Sequence, residues 1–374
     1  MTILDLSDEQ RAVAELAREI GMEVLSDSAR AAEARGAVPD TVWQTLFDSG
    51  LTMPVPEELG GSGIGDASTL LVALENLAHG DAGITLAAVS SGTAALLLAR
   101  HGTGAHDDAL KRLVTNPDAR SAVALYEAHG RGGAEFATTI AVTDNGLVRL
   151  SGHKVAVPFA DSAEAFVVVG VDATTAIPRA VVVPRKSSGV NVRPYGPTLA
   201  LGAAAWGSAD FDVTLPADSL LGTVEDSDTL LNSVSLLRLA VAAIAVGTAQ
   251  RSIEYAAHYA TERVAFGRPI ATFQGVSFPL AEAQMRIDAA RLECAELAAA
   301  LDTSHTGSID LVGKVSAAVA YATQVAVEAT RTAVQTLGGH GYIVEHPVEL
   351  WYRSATSLST VDNDPSLSAY QPVL

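Results

Sequence analysis

The apolar residues of this 374-residue chain change period twice along its length. Between about Arg120 and Gly222 they fall in short β-branched runs, TTIAVT, LVRLSG, AFVVVG, AVVVPR and FDVTLP, whereas alanine-rich segments on both sides repeat at helical spacing. A period of two and a period of 3.6 bury different kinds of face, so the two patterns belong to separate packing layers. The expectation is an α+β fold in three parts: an all-helical N-terminal domain over 1–118, a middle β domain over 119–224, and a C-terminal helical bundle over 225–374. A chain of this length can bury a core in each part.

Local signals sharpen the division. In LSDEQRAVAELAREI, Ser7 and Gln10 have the spacing of a capping box, which starts a helix expected from about Asp8 to Ala32. Pro39 opens a second helix carrying Trp43, Leu46 and Phe47, stopped near Gly50, and PVPEELGGSGIG reads as a loop. Apolar helices follow near 67–79 and 83–100. Asp144-Asn145-Gly146 suits a hairpin, because Asn-Gly accepts positive φ at little cost. After the β region, helices over about 227–264, 275–302 and 308–337, with a shorter one after Pro347, make a four-helix bundle.

Composition excludes several classes. A formal charge of -19 argues against nucleic-acid binding, and any anionic ligand must meet a local basic patch. The nine histidines lack ligand spacing, and the single cysteine, Cys294, sits in a helical pattern that favours packing, so no metal centre or disulfide is expected. The opening MTILDLSDEQ is acidic where a signal peptide is basic, and no apolar run approaches the roughly 20 residues of a membrane helix; a cytoplasmic chain without membrane attachment is expected. The glycines of GGSGIGD lack G-x-G-x-x-G spacing and a preceding strand, and Ser90 and Ser91 lack nucleophile-elbow glycines.

The stretch ERVAFGRPIATFQG, 262–275, is different. It places Arg263, Phe266 and Gln274 at a helix end, a break and a new helix start, where a guanidinium and helical N–H donors suit phosphate oxygens. QTLGGHGYIVEHP adds Gln335, Gly338 and Gly339, which permit close backbone approach to a ligand, although a helix C-cap uses the same glycines. Arg-x-x-Phe-Gly-x-Pro with a glutamine eleven residues after the arginine (274 minus 263), then Gln-x-x-Gly-Gly-x-Gly-Tyr and EHPVELWYR, resembles the C-terminal domain of the acyl-CoA dehydrogenase family. PVPEELGGSGIG and FDVTLPADSLLG resemble its N-terminal loop and the strand leaving its β domain, so the likeness runs along the chain.

That resemblance implies an FAD-dependent enzyme that converts an acyl-CoA thioester to a 2-enoyl-CoA, with Arg263, Phe266, Gln274, Gln335, Gly338 and Gly339 holding the adenosine pyrophosphate of FAD in a neighbouring subunit. It implies a homo- or hetero-tetramer and an electron-transferring flavoprotein as acceptor. The family's base in a Tyr-Glu-Gly-Thr element, nine residues beyond the arginine matched by Arg353, is matched by Asp362; Arg238 matches an arginine near the substrate, and the alternative base position holds Leu237. Asp362 is read either as base or as an acidic loop residue, and Arg238 either as substrate-facing or as ion-paired. The flavin-cradling Thr-Glu-Pro-Gly-Ala-Gly-Ser-Asp becomes YEAHGRGGAEF, and Lys-x-Trp-Ile-Thr-Asn becomes KVAVPF, with Ala156 for tryptophan and Pro158 for threonine. Proline supplies neither hydroxyl nor N–H there. Three readings follow: a partner subunit completing another chain's FAD site, like the α2β2 dehydrogenases of actinobacteria that act on bulky acyl-CoAs; a self-sufficient homotetramer using Asp362; or a non-enzymatic assembly subunit.

Overall fold

A computed structural model describes residues 6–127, 135–223, 226–303 and 309–362. The N-terminal helices are α1 (Asp8–Ile20), α2 (Ser26–Arg35), α3 (Asp40–Ser49), α4 (Ala67–Leu77), α5 (Ala82–His101) and α6 (Asp107–Thr115). The Ser7–Gln10 capping box forms as the sequence predicts. The expected single helix over 8–32 is interrupted by a π-helical turn at Gly21–Leu25. Gly21 there lies against the end of α4: a Cβ on it would stand 2.9 Å from the Asn76 carbonyl oxygen.

The middle region is one eight-stranded sheet: β1 (Ser121–Ala124), β2 (Thr139–Val142), β3 (Leu147–Val157), β4 (Ala165–Asp172), β5 (Pro178–Pro184), β6 (Val190–Pro194), β7 (Gly207–Pro216) and β8 (Leu220–Leu221). Its order is β6-β7-β3-β2-β4-β5-β8, with β1 parallel to β4. The five β-branched runs supply β2, β3, β4, β5 and β7, and Asn145-Gly146 turns β2 into β3 with Gly146 at φ 75°. The short elements α6, β1, β6 and β8 have too little periodicity to announce themselves.

The C-terminal helices are α7 (Ser227–Glu262), α8 (Gln274–Thr303), α9 (Ile309–Leu337) and α10 (Val348–Leu358), with a two-residue-strand hairpin, β9 (Val264–Ala265) and β10 (Arg268–Pro269), between α7 and α8. Helix α7 is central, packing on α8, α9 and α10 and also on α4 and α5. Contrary to the sequence expectation, α5 and α7 are long and apolar enough to span a membrane, yet 89% of each apolar window is buried inside this fold. Their hydrophobicity is that of helices surrounded by protein on all sides.

Gly247 permits the contact between α7 and the N-terminal helices, since a Cβ at that position would lie 2.1 Å from the Glu75 carbonyl oxygen of α4. Alanine would gain about 1 kcal/mol of helix propensity. Overlap with a backbone atom that cannot rotate away outweighs this, and we expect Gly247→Ala to destabilise by about 1–3 kcal/mol net. Thermal denaturation of the variant should show a lower midpoint; an unchanged or raised midpoint would mean that α4 and α7 are not held at this separation.

Candidate active-site cleft and cofactor clasp

A cleft opens where the three regions meet, walled by α5, the end of β1, the segment 156–158, α7 and Asp362. Leu86 and Val89 of α5 face Leu237, Ala240 and Val241 of α7, so its walls are mainly apolar. Ser90 and Thr93 also line it, but their hydroxyls donate to the Leu86 and Ser90 carbonyls of their own helix.

The polar end of the cleft is an ion pair. Arg238 Nε donates to Asp362 Oδ2 at 2.7 Å, with both side chains largely buried. Asp362 reaches this position through a left-handed backbone, φ 47°, a conformation that aspartate tolerates better than most residues. It therefore faces the cleft rather than a solvated turn, and Arg238 is paired. Arg238 Nη1 is buried without a hydrogen-bond partner among the described residues. Asn363 and Asp364, which replace the family's glycine and threonine, lie outside the described residues.

The β-domain wall is strained and short of donors. Ala156, Phe159, Leu201 and Ala205 all have φ between 48° and 59°, at a cost of roughly 1–2 kcal/mol for each non-glycine residue. Interlocking hydrogen bonds hold the two loops together: Phe159 N–H to the Ala204 carbonyl at 2.8 Å, Ala160 N–H to that of Ala205 at 3.3 Å, and Trp206 Nε1 to that of Leu201 at 2.8 Å. Ala156 N–H donates to Tyr195 Oη at 3.2 Å. With Pro158 lacking an N–H, the backbone at 156, 158 and 159 has no donor left for a ligand. Trp206 and Tyr195 were not singled out from sequence; a lone tryptophan in GAAAWG is the only signal for the former.

Beside this wall, Lys154 is fully buried and donates to Glu127 Oε1 at 2.7 Å and to the Leu125 carbonyl at 2.9 Å. The Glu127 carboxylate also accepts from the Ala137 and Thr138 N–H groups at 2.5 and 2.9 Å. This kept pair of the flavin-cradle motif fastens together the two ends of the segment 128–134, which lies outside the described residues.

The second constellation occupies one end of the bundle. Arg263 caps the C-terminus of α7, Gln274 is the first residue of α8, and Gln335 lies in the last turn of α9, followed by Gly338 at φ 59° and Gly339. Tyr259 Oη meets His340 Nδ1 at 2.8 Å, tying the end of α7 to the turn after α9 and bringing both sequence motifs to the same bundle end. Phe266 and Gly267 form the tip of the β9–β10 hairpin, with φ 51° and 80°, and Phe266 is 95% exposed. Its recorded ring contact is edge-on to Phe273, at 6.2 Å between centroids. The side chains of Arg263, Gln274 and Gln335 are exposed and make no hydrogen bond or ion pair among the described residues. The same is true of Arg331, one turn before Gln335, which the sequence reading passed over.

The two sites differ in how they suit the parts of a flavin dinucleotide. Unpaired cationic and amide donors beside helix and turn backbone fit a pyrophosphate. The backbone at 156, 158 and 159 does not offer the amide donor that the polar edge of an isoalloxazine accepts.

Helices, sheet and bundle meeting at this cleft form the three-part α+β architecture that the sequence predicts. The acyl-CoA dehydrogenase N-terminal domain model matches residues 7–116 and the C-terminal domain model residues 228–362. An acyl-CoA dehydrogenase of Bacillus subtilis is 28% identical over 366 residues, covering 94% of this chain and 93% of that protein. The caffeyl-CoA reductase-Etf complex subunit CarC of Acetobacterium woodii is 28% identical over 356 residues, covering 93% and 92%. The solved butyryl-CoA dehydrogenase of Megasphaera elsdenii superposes with a TM-score of 0.84 at 26% identity, covering 98% of this chain and 97% of that one. The chain belongs to the acyl-CoA dehydrogenase family, whose members are FAD-dependent oxidoreductases.

Burial alone would raise the Glu127 carboxyl, but the charge and hydrogen bond of Lys154 and the bonds from Thr138 and Ala137 hold it below its ordinary value. A carboxyl lowered on folding stabilises the fold above its unfolded pKa, near 4.3, and loses that contribution as pH falls through the folded value. Lys154→Met should remove the buried cation that compensates the Glu127 carboxylate, costing about 3–5 kcal/mol at neutral pH. It should also reduce the steepness of acid unfolding below pH 4, read by circular dichroism against pH; a variant as stable as the parent at pH 7 would show that the pair does not hold this wall.

Proposed function

We propose that this chain is a subunit of an acyl-CoA dehydrogenase assembly and that its bundle end grips the adenosine pyrophosphate of an FAD seated in a neighbouring chain's cleft. The observation that carries this reading is one of distance. Arg238 and Arg263 lie 25 residues apart on α7 and its cap (263 minus 238), about 37 Å at 1.5 Å per residue. A dinucleotide held at Arg263 is thus well removed from the cleft of the same chain. Arg263 pairs with phosphate oxygens, the amides of Gln274 and Gln335 complete the polar contacts, and Gly338 and Gly339 admit the backbone. Phe266 offers an exposed aromatic face to the neighbouring chain or to the adenine. FAD, when bound, accepts the substrate's β-hydride in the α,β-desaturation of an acyl-CoA thioester to a 2-enoyl-CoA. Electrons would leave the assembly to an electron-transferring flavoprotein.

A second reading rests on the Arg238–Asp362 pair. Asp362 lies in the cleft as a base would, and Arg238, on the same cleft, keeps a buried Nη1 donor with no hydrogen-bond partner among the described residues. In a self-sufficient homotetramer Asp362 removes the α-proton. Its reach is one methylene shorter than that of glutamate, a displacement of about 1 Å that can reduce rate about 100-fold.

Flavin absorbance separates the two. The purified chain alone should be colourless, and co-purification with a flavin-binding acyl-CoA dehydrogenase chain should give one FAD per pair of chains. Arg263→Ala should weaken FAD retention in that pair by about 1.5–3 kcal/mol, the worth of a hydrogen bond to a charged group. One FAD per subunit in the chain alone would reject the partner-subunit reading. In that case Asp362→Asn decides the second: desaturation must be abolished, and unchanged turnover removes Asp362 from the mechanism.

A further inference from the structure

A cavity of about 500 Å³ lies apart from the cleft, where the C-terminal end of α5, the first turns of α7 and the end of α8 meet the start of α4. It is within the size range of small-molecule sites. Arg100, His101, Asp226, Asn232, Leu236 and Leu301 line it. His101 Nε2 meets Ser233 Oγ at 2.9 Å and so ties α5 to α7. Burial, with a smaller contribution from Arg100, pulls this imidazole down to about 4, which leaves it neutral at neutral pH. Asp302 also borders the cavity, but both its oxygens are taken by the start of α4: Oδ1 accepts from the Ala67 N–H at 2.6 Å, and Oδ2 from the Ser68 N–H and hydroxyl at 3.1 and 2.7 Å.

Two charges of opposite sign remain. Arg100 is exposed and makes no hydrogen bond or ion pair among the described residues. Asp226 accepts from the Thr223 N–H and hydroxyl through Oδ2, at 2.6 and 2.9 Å, while its Oδ1 has no partner among the described residues. Both lie near enough to His101 to act on it, Arg100 lowering and Asp226 raising its proton affinity. Yet the two do not pair with each other. The Asn232 amide, half-buried in the same lining, is likewise without a hydrogen bond among the described residues. A lone anion in this cavity meets repulsion from Asp226, and a lone cation meets it from Arg100. A ligand carrying one group of each sign satisfies both.

An α-amino acid has that form, with carboxylate and ammonium on a single carbon and the side chain as a third arm. The planar guanidinium of Arg100 suits a carboxylate through paired hydrogen bonds, Asp226 can accept from an ammonium, and Asn232 can donate or accept. Leu236 and Leu301 supply apolar surface for an aliphatic side chain. We propose that this cavity is a binding site for a free aliphatic α-amino acid, its carboxylate on Arg100 and its ammonium on Asp226. The occupant joins α5 to α7, the two helices whose Leu86, Val89, Leu237 and Val241 wall the cleft, so a small metabolite steadies those walls from outside the cleft. The inference uses no property of the flavin site, and its test is read without flavin.

Titration calorimetry and thermal denaturation of the full-length chain test this with L-leucine and two analogues of the same branched alkyl chain: isocaproate, which lacks the ammonium, and isoamylamine, which lacks the carboxylate. Leucine should bind at one site per chain and raise the unfolding midpoint. Each analogue should bind about tenfold or more weakly, for loss of a charged hydrogen bond. Arg100→Met, which breaks no bond within the described chain, should keep the parent's midpoint without ligand and weaken leucine binding by the same factor. Asp226→Asn, which keeps a side-chain oxygen for Thr223, should weaken it likewise. The proposal is overturned if leucine fails to bind at millimolar concentration, if either analogue or glycine binds as tightly as leucine, or if Arg100→Met binds leucine as the parent does.

Discussion

Helix α7 sets the geometry on which the rest depends. It runs unbroken from Ser227 to Glu262, with alanines, valines and a glycine packed on helices from both ends of the chain. A rod of that length fixes the separation between Arg238 in the cleft and Arg263 at the bundle end, and no side-chain rearrangement can bring the two together. Two groups built on one rigid helix at such a distance cannot both touch one small reacting centre. Whatever each holds, α7 is the element that relates them.

The two ends of this rod sit in very different surroundings. At the cleft, buried charges are compensated within the chain: Lys154 by Glu127, Arg238 by Asp362. The loops at 156–160 and 201–206 keep four left-handed residues in place by hydrogen-bonding to each other, so their strain is sustained by local structure and not by a ligand. At the bundle end the opposite holds. Phe266 combines a left-handed backbone with almost complete exposure, and the chain itself provides little contact to offset that cost.

Much of this architecture was legible in the sequence, because long segments repeat their period many times. The three long bundle helices, the five β-branched strands and the Asn-Gly hairpin all rest on local rules that tertiary packing reinforces. The π-turn at Gly21–Leu25 was not legible, since Gly21 lies against Asn76 of another helix, a contact no local pattern announces. The membrane-length character of α5 and α7 was misjudged because alanine and small polar residues dilute an apolar run to the eye while leaving the helix fully buried. In the cleft, the loss of donors at Pro158 could be read directly. The occupation of the Ala156 N–H by Tyr195 could not, because a side chain 39 residues away supplies the partner. Asp362 looked like a solvated turn for a similar reason: only the fold places Arg238 of α7, 124 residues earlier, beside it.

Charge gives the last step. Acidic residues outnumber basic ones by 43 to 24, so an exposed arginine here is surrounded by available carboxylates. Most of its counterparts are indeed taken: Arg112 by Glu164, Arg193 by Asp210, Arg286 by Glu282 and Glu328, and Arg353 by Glu33 and Glu349. Arg263 follows Glu262 directly, yet makes no such pair among the described residues, and neither does Arg331 one turn from Gln335. The Glu262 carboxylate lies 3.4 Å from His258 on its own helix. A chain of charge -19 can attract an anion only through a local departure from its overall field, and two unpaired guanidinium groups at one bundle end provide that departure.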